Sequence, residues 1–236
     1  MRTAAACWKA LARFTPGAAV HHLPHVSAAV FPDEPERSIY NNAIFARELT
    51  PTQRAEAIEA TEELYVAAGV GRFAAWTHES DQLTRDEIVQ RGYSVDTTTR
   101  AMGMLLDRVT LPRPDLELAT PDWREHLRLI GAPPDLLRTL DSGALHLLVV
   151  RHDGVNVATG FGFDHEGDCG IYNVGTLAQA RRRGIGRALT TLLVRDAIER
   201  GCRTASLQST PVAERMYAAV GFRDLGRIIE LVPARS

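Results

Sequence analysis

The hydrophobic pattern of this 236-residue chain changes period several times. Residues 3–14 carry apolar side chains at helical spacing and predict a helix straight from the terminus. Thr50 and Gln53 frame a capping box with Pro51 at the first helical position. In the helix that follows, Glu56, Glu59, Glu62 and Glu63 lie opposite Ala57, Ala60 and Leu64 as a solvated face. The prolines of Thr110-Leu111-Pro112-Arg113-Pro114 make residues 109–115 too stiff for helix or inner strand, so a linker is expected there. Beyond it the pattern predicts a short strand at 116–119, a helix at 122–130 capped by Thr120 or Asp122, and a second helical stretch at 134–140. Three β-branched runs, 144–151, 155–163 and 169–177, are separated by Asp-Gly and Glu-Gly turns and read as an antiparallel meander. Ile185, Ala188, Leu189, Leu192, Leu193, Ala197 and Ile198 then trace one helix face that Gly201 ends. A strand at 204–208, a helix at 211–220 and a last strand at 226–232 complete the chain.

The same order occurs twice. Ile39-Tyr40-Asn41 returns as Ile171-Tyr172-Asn173, Arg72-Phe73-Ala74 as Arg203-Thr204-Ala205, and Arg91-Gly92-Tyr93 as Val220-Gly221-Phe222. Each half places a strand, a long helix, a strand and a short helix between these anchors, as a tandem duplication would.

Composition adds limits. Hydrophobic residues make up 45% and charged residues 24%, an ordinary folded balance, and no apolar run is long enough for a membrane span or a signal core. A cytoplasmic protein is expected. Cys7, Cys169 and Cys202 are too few and too far apart for a disulfide framework or a zinc site. His21, His22 and His25 lack an acidic or thiol partner at ligand spacing, and no metal is expected. The net charge of -2 argues against a nucleic-acid partner. Its distribution matters more: residues 1–107 hold 14 acidic and 10 basic side chains, residues 108–236 hold 15 and 17. The basic excess lies in the half that carries the most suggestive motif.

That motif is Arg181-Arg182-Arg183-Gly184-Ile185-Gly186, between a strand and a helix. The first turn of a helix leaves backbone N-H groups without intrahelical partners, and glycine allows an anion close to them. The turn therefore suits a phosphate. Farther on, Leu207-Gln208-Ser209-Thr210-Pro211 leads to Met216-Tyr217 and Gly221-Phe222 on a strand and a short helix.

In these two stretches the second half resembles the GNAT superfamily of N-acetyltransferases, over roughly residues 116–232. The resemblance implies that Arg181, Arg182, Arg183, Gly184, Ile185, Gly186 and Arg187 hold the pyrophosphate of acetyl-CoA. It implies that main-chain groups of Val174, Gly175, Thr176 and Leu177 meet the pantetheine arm and the acetyl carbonyl, with Ser209 and Met216 completing the coenzyme site. Gly175 suits a bulge there, which would expose the Val174 amide to an oxyanion. Tyr217 would protonate the departing thiolate. Ala178 stands where the family often has proline, with little expected consequence. For the base, Asp164, His165, Glu166, Asp168 and Tyr172 cluster near one strand and could reach the acceptor through water, although a polar hairpin turn is the favoured reading of these residues. Ser209 and Thr210 read as helix caps rather than nucleophiles.

The expected fold class is α/β (α+β), with two GNAT-like units, each a mixed, mostly antiparallel sheet flanked by helices. The expected division is 1–108, a degenerate unit; 109–115, a linker; and 116–236, the acetyltransferase. The first half has no glycine at the turn equivalent to 181–186, and Ile88 stands at the place of Tyr217, so its expected task is to shape the acceptor cleft. The expected activity is direct acetyl transfer from acetyl-CoA to a primary amine. The alternatives are an acyl-CoA sensor without turnover and an aminoacyl-tRNA-dependent transferase. Whether two copies pair as a homodimer is left open, as is the acceptor: metabolite, antibiotic, peptide terminus or protein lysine.

Overall fold

The computed structural model describes residues 1–38, 40–107, 109–133, 140, 143 and 145–234. The helix expected at 134–140 therefore lies almost wholly outside the described residues. The chain forms two compact units, Met1–Arg100 with Gly226–Ser236, and Ala101–Leu225. The stretch 109–115 falls within the second.

In the first unit, α1 (Arg2–Ala12) precedes the strands β1 (Ala19–Leu23), β2 (Val26–Val30) and β3 (Asn42–Phe45). Then come α2 (Pro51–Ala67), β4 (Ala74–His78), α3 (Gln82–Gln90) and β5 (Tyr93–Leu105). Pro51 opens α2 behind the expected capping box: Gln53 N-H donates to Thr50 Oγ1 at 3.3 Å, and Thr50 N-H to Gln53 Oε1 at 3.0 Å. Ala57, Ile58 and Tyr65 of α2 pack on Ala28, Ala43, Phe45 and Ala75 of the sheet. Tyr65 stacks on Phe73 at 4.0 Å and donates its hydroxyl to Ala29 O. On α2 one expectation changes: Glu62 is not merely solvated, since it accepts from Arg91 and from the Tyr93 hydroxyl at 3.2 and 3.1 Å.

The second unit contains β6 (Glu117–Ala119), α4 (Trp123–Ile130), β7 (His146–His152), β8 (Val155–His165) and β9 (Asp168–Thr176). After a short 3-10 turn, Ala178–Ala180, come α5 (Ile185–Glu199), β10 (Thr204–Ser209) and α6 (Glu214–Val220). Asp122 caps α4 by accepting from Glu125 N-H at 2.7 Å. Helix α6 starts three residues later than the pattern suggested. Neither Ser209 nor Thr210 caps it: its N-cap is Ala213, with no side-chain bond, and the Ser209 hydroxyl turns to Thr210 O instead.

The last strand, β11 (Arg223–Pro233), is shared. The chain enters the second unit within β5 and returns to the first within β11. Gly226 to Pro233 thus belongs to the first unit, where Ile228 to Leu231 pair antiparallel with β4. The strand order there is β1-β2-β3-β4-β11-β5, and in the second unit β5-β10-β9-β8-β7-β6. Both units repeat one pattern. An antiparallel pair (β2/β3, β8/β9) leads through a helix to a strand parallel to the second member, β4 on β3 and β10 on β9.

The ladders also correct the repeat alignment. Ala74 lies opposite Asn42, and Ala205 opposite Cys169. With Ala74 matched to Ala205, Asn41 corresponds to Asp168, so its likeness to Asn173 is coincidental. The third anchor fits better: Gly92 and Gly221 both take positive φ after a short helix, and Tyr93 and Phe222 behind them are both buried.

Candidate active site

In the second unit, Leu189, Leu193 and Val194 of α5 pack on Ile171, Ala205 and Leu207, with Tyr217, Val220 and Phe222 from α6 and beyond closing the core. Alternation along strands sends the neighbours of these residues to the opposite face, which α4 covers. There Trp123 and His126 meet Phe161, and Phe161 stacks on Tyr172 at 5.4 Å.

Strands β9 and β10 run parallel from Asp168↔Thr204 to Ile171↔Leu207. Beyond that point no ladder pair joins them among the described residues, although β9 continues to Thr176 and β10 to Ser209. The sheet opens there. On the other side of β9, Phe161 pairs with Tyr172 and Thr159 with Gly175, so Asn173 and Val174 together face Gly160. This is a bulge, but it is centred on Asn173 rather than on Gly175. Asn173 takes φ of +51°, which asparagine tolerates better than most side chains. Gly175 answers a different need: a Cβ there would lie 3.1 Å from Ile130, so glycine lets α4 approach the strand.

The arginine-glycine turn follows. Arg181 Nε donates to Thr176 O at 3.0 Å, and Arg183 Nη1 meets His152 Nε2 at 3.2 Å. The guanidinium groups of Arg182 and Arg187 have no partner among the described residues and are exposed. Gly184 is the N-cap of α5 at φ +80°, with nothing within 4 Å of the place a Cβ would take. Ala188 N-H donates to Gly184 O, while the amides of residues 182 to 187 donate to no backbone carbonyl outside α5 among the described residues. The first amides within α5 have no carbonyl one turn back inside the helix. Open space, unengaged donors and two exposed cations without partners among the described residues leave this turn able to accept an anion. Leu177 stands apart: its N-H donates to Val157 O and its carbonyl accepts from Ala180, so both main-chain groups are engaged.

Tyr217 is buried on α6, edge-on to Phe222 at 6.1 Å. Burial pushes its phenol up to about 12, and no hydrogen bond engages the hydroxyl among the described residues. Met216 beside it receives a weak contact from Thr190 Oγ1 at 3.9 Å, and Thr190 anchors to Gly186 O.

The carboxylates named as base candidates are already engaged. Burial opposes ionisation of Asp164, but Arg200, at 2.6 and 2.9 Å, holds it down to about 2. Asp168 accepts from Thr204 and Ser206 hydroxyls at 2.7 and 2.6 Å. Among the described residues His165 reaches only Glu166, at 4.0 Å.

One titratable group escaped the sequence reading. His126 is fully buried, and burial lowers its pKa to about 4. Its Nδ1 lies 2.8 Å from Thr159 Oγ1, and that hydroxyl donates its only proton to Leu148 O. Nδ1 must therefore carry the ring proton, which leaves Nε2 as a buried acceptor without a partner among the described residues. A lone histidine on a helix face gives no sequence signal of this kind.

Among the described residues no group of three or more His, Cys, Asp or Glu could hold a metal, and no helix is long and apolar enough to cross a membrane.

Residues 85–208 match the model of the acetyltransferase (GNAT) domain family. No curated protein sequence matches the chain. Among solved structures, a GCN5-related N-acetyltransferase from Kribbella flavida is similar over 100% of this chain and 95% of its own, with TM-score 0.75 and 17% identity. A GCN5-related N-acetyltransferase from Sphaerobacter thermophilus is similar over 89% and 80%, with TM-score 0.63 and 19% identity. A tandem GNAT protein from the clavulanic acid biosynthesis pathway is similar over 89% and 79%, with TM-score 0.64 and 13% identity. At these identities the likeness is one of fold.

Proposed function

Since this chain belongs to the acetyltransferase (GNAT) domain family, we propose that its second unit transfers an acetyl group from acetyl-CoA to a primary amine. The observation that carries this reading is the run of unengaged amides between Arg182 and Arg187 around the open, left-handed Gly184. Those amides, with the Arg182 and Arg187 side chains, would hold the pyrophosphate. The splay of β9 from β10 past Ile171↔Leu207 would admit the pantetheine arm.

Acetyl-CoA supplies the activated thioester. The protein's part is positional and electrostatic. The bulge at Asn173 would turn the Val174 amide towards the thioester carbonyl, where a donor lowers the barrier to attack. Tyr217 keeps its proton at neutral pH and can give it to the coenzyme sulfur as the bond breaks. The amine would lose its proton through water rather than to Asp164, whose carboxylate is held by Arg200.

We infer that the first unit is a degenerate copy. Its capping box engages the Thr50 and Gln53 amides, Pro51 has no N-H to offer a phosphate, and buried Ile88 stands where the second unit has Tyr217.

The engagement of Asp164 and Asp168 also suits a second reading, a sensor that binds acyl-CoA without turnover. Thiol release across a panel of amines separates the two, because a sensor releases none. Calorimetry with acetyl-CoA tests the seat itself. Gly184→Glu should abolish binding, through bulk and like charge beside the diphosphate, and unaltered affinity would refute the placement.

A further inference from the structure

The second unit holds a cavity of about 620 Å³ that the coenzyme seat does not use. Gly103 and Leu105 of β5, Thr204 and Ser206 of β10, Asp168 of β9 and Leu225 line most of it, and Arg223 and the core-side Met104 and Ala205 also border it. Its place in the sheet follows from alternation. Met104, Ala205 and Leu207 belong to the core under α5, so Gly103, Leu105, Thr204 and Ser206 face the other way. Asp168 bonds to both hydroxyls and shares their side. Tyr172, two strand repeats along β9, is on that side too, and its ring folds back over Gly170, where a Cβ would stand 2.5 Å from the phenolic oxygen. The cavity and the open end of the β9/β10 cleft therefore lie on one face of one strand pair.

The lining is mostly apolar and unusually open. Leu105 is 70% exposed and Leu225 59%, so two large aliphatic side chains flank a hollow that water fills poorly. Gly103 lets the Leu225 side chain lie against β5 at the rim of the hollow: a Cβ there would press on Leu225 Cδ1. Ser206 is opposite Gly170, four residues from Val174 with one residue taken up in the bulge. At about 3.3 Å per residue, the inner end of the cavity lies roughly 10–13 Å from the Val174 amide.

We propose that this cavity receives the apolar body of the acceptor, which makes the substrate class an elongated primary amine. Its nitrogen is separated from a bulky aliphatic or aryl group by the distance from Val174 to Ser206. The inference rests on the acetyl transfer proposed above and adds the acceptor's shape. A short or wholly polar amine would leave Leu105 and Leu225 bare. A long one would cover them while its amino group reaches the cleft.

The test uses the full chain with acetyl-CoA and a series of straight-chain amines from ethylamine to tetradecylamine, long enough to cross the cleft and enter the cavity, read both as thiol release and as calorimetric amine binding. Specificity, as kcat/KM, should stay level for the shortest amines and then climb about three- to fourfold for each further methylene that enters the cavity. Leu225→Asp, a change at an exposed position, should lower the ratio of tetradecylamine to butylamine specificity at least tenfold. A level series, or an unchanged ratio in that variant, overturns the acceptor assignment while leaving the transferase reading intact. No thiol release with any amine sinks the transferase reading instead. In that event, tetradecylamine binding that weakens in Leu225→Asp still supports an amine-binding cavity, and binding that does not weaken overturns it.

Discussion

Tyr217 illustrates how burial and chemistry combine at a single residue. Desolvation keeps the phenol neutral, and neither a carboxylate nor a carbonyl claims its hydroxyl among the described residues, so the proton is available at any physiological pH. Tyr217→Phe keeps the ring against Phe222 and removes only the donor. Turnover should fall about 100-fold with coenzyme affinity retained; a variant with unchanged kcat would show that solvent protonates the thiolate. His126 makes a prediction of another kind. Its folded pKa of about 4 lies below the ordinary 6.5, so above pH 6.5 both folded and unfolded forms are neutral and the ring adds no pH dependence to stability. As pH falls from 6.5 to 4 only the unfolded chain takes up the proton, and stability declines by about 3 kcal/mol in total. In His126→Gln, denaturant unfolding measured at intervals across that window should lose this part of the pH slope. An identical slope in both proteins would place the acid sensitivity elsewhere. Sequence patterning could not single this histidine out, because its significance lies in Thr159, 33 residues away, and in that hydroxyl's prior commitment to Leu148.

At the scale of elements, local signals are legible in the sequence and long-range ones are not. The capping box at Thr50, the Asp122 cap and the glycine-led start of α5 each depend on a few neighbouring residues, and each stands where those residues indicated. The bulge in β9 did not. Gly175 looked like the natural place for one, yet the irregularity follows from how β9 must register against β8 while α4 presses on Gly175, and neither is visible locally. Asn173 bears the left-handed conformation instead. Asn173→Gly should therefore be nearly neutral in stability. Asn173→Val should cost about 1–3 kcal/mol, because a β-branched side chain is strained at that φ. If the bulge aims the Val174 amide, the valine variant should also lose turnover beyond its loss of stability, measured below the unfolding transition. Equal stability of the two variants would mean that the strand relaxes into another register.

For the whole molecule, the limit of sequence reading lies in β5 and β11. Hydrophobic alternation marks both as strands but does not say which sheet each completes, since pairing partners lie more than 100 residues apart. A division near 109–115 assigns all of β5 to the first half and all of β11 to the second, whereas each strand begins in one compact unit and ends in the other. The consequence is a sharp difference between two truncated chains of similar length. One running from Leu111 to the end lacks residues 101–105, which lie beside β10, and carries Gly226 to Pro233 without β4 to pair with. Ile228, Leu231 and Val232, nearly fully buried in the intact protein, would then face water at about 1.5–3 kcal/mol each, on a strand with an unpaired edge. That chain should aggregate. One spanning residues 101–225 keeps the whole of the core under α5 and both strands beside β10, and should stay soluble and retain acetyl-CoA binding by calorimetry. If the chain begun at Leu111 instead folds cooperatively and binds as tightly, the exchange of strand segments contributes nothing to the second unit, and the Pro-punctuated stretch is the functional boundary after all.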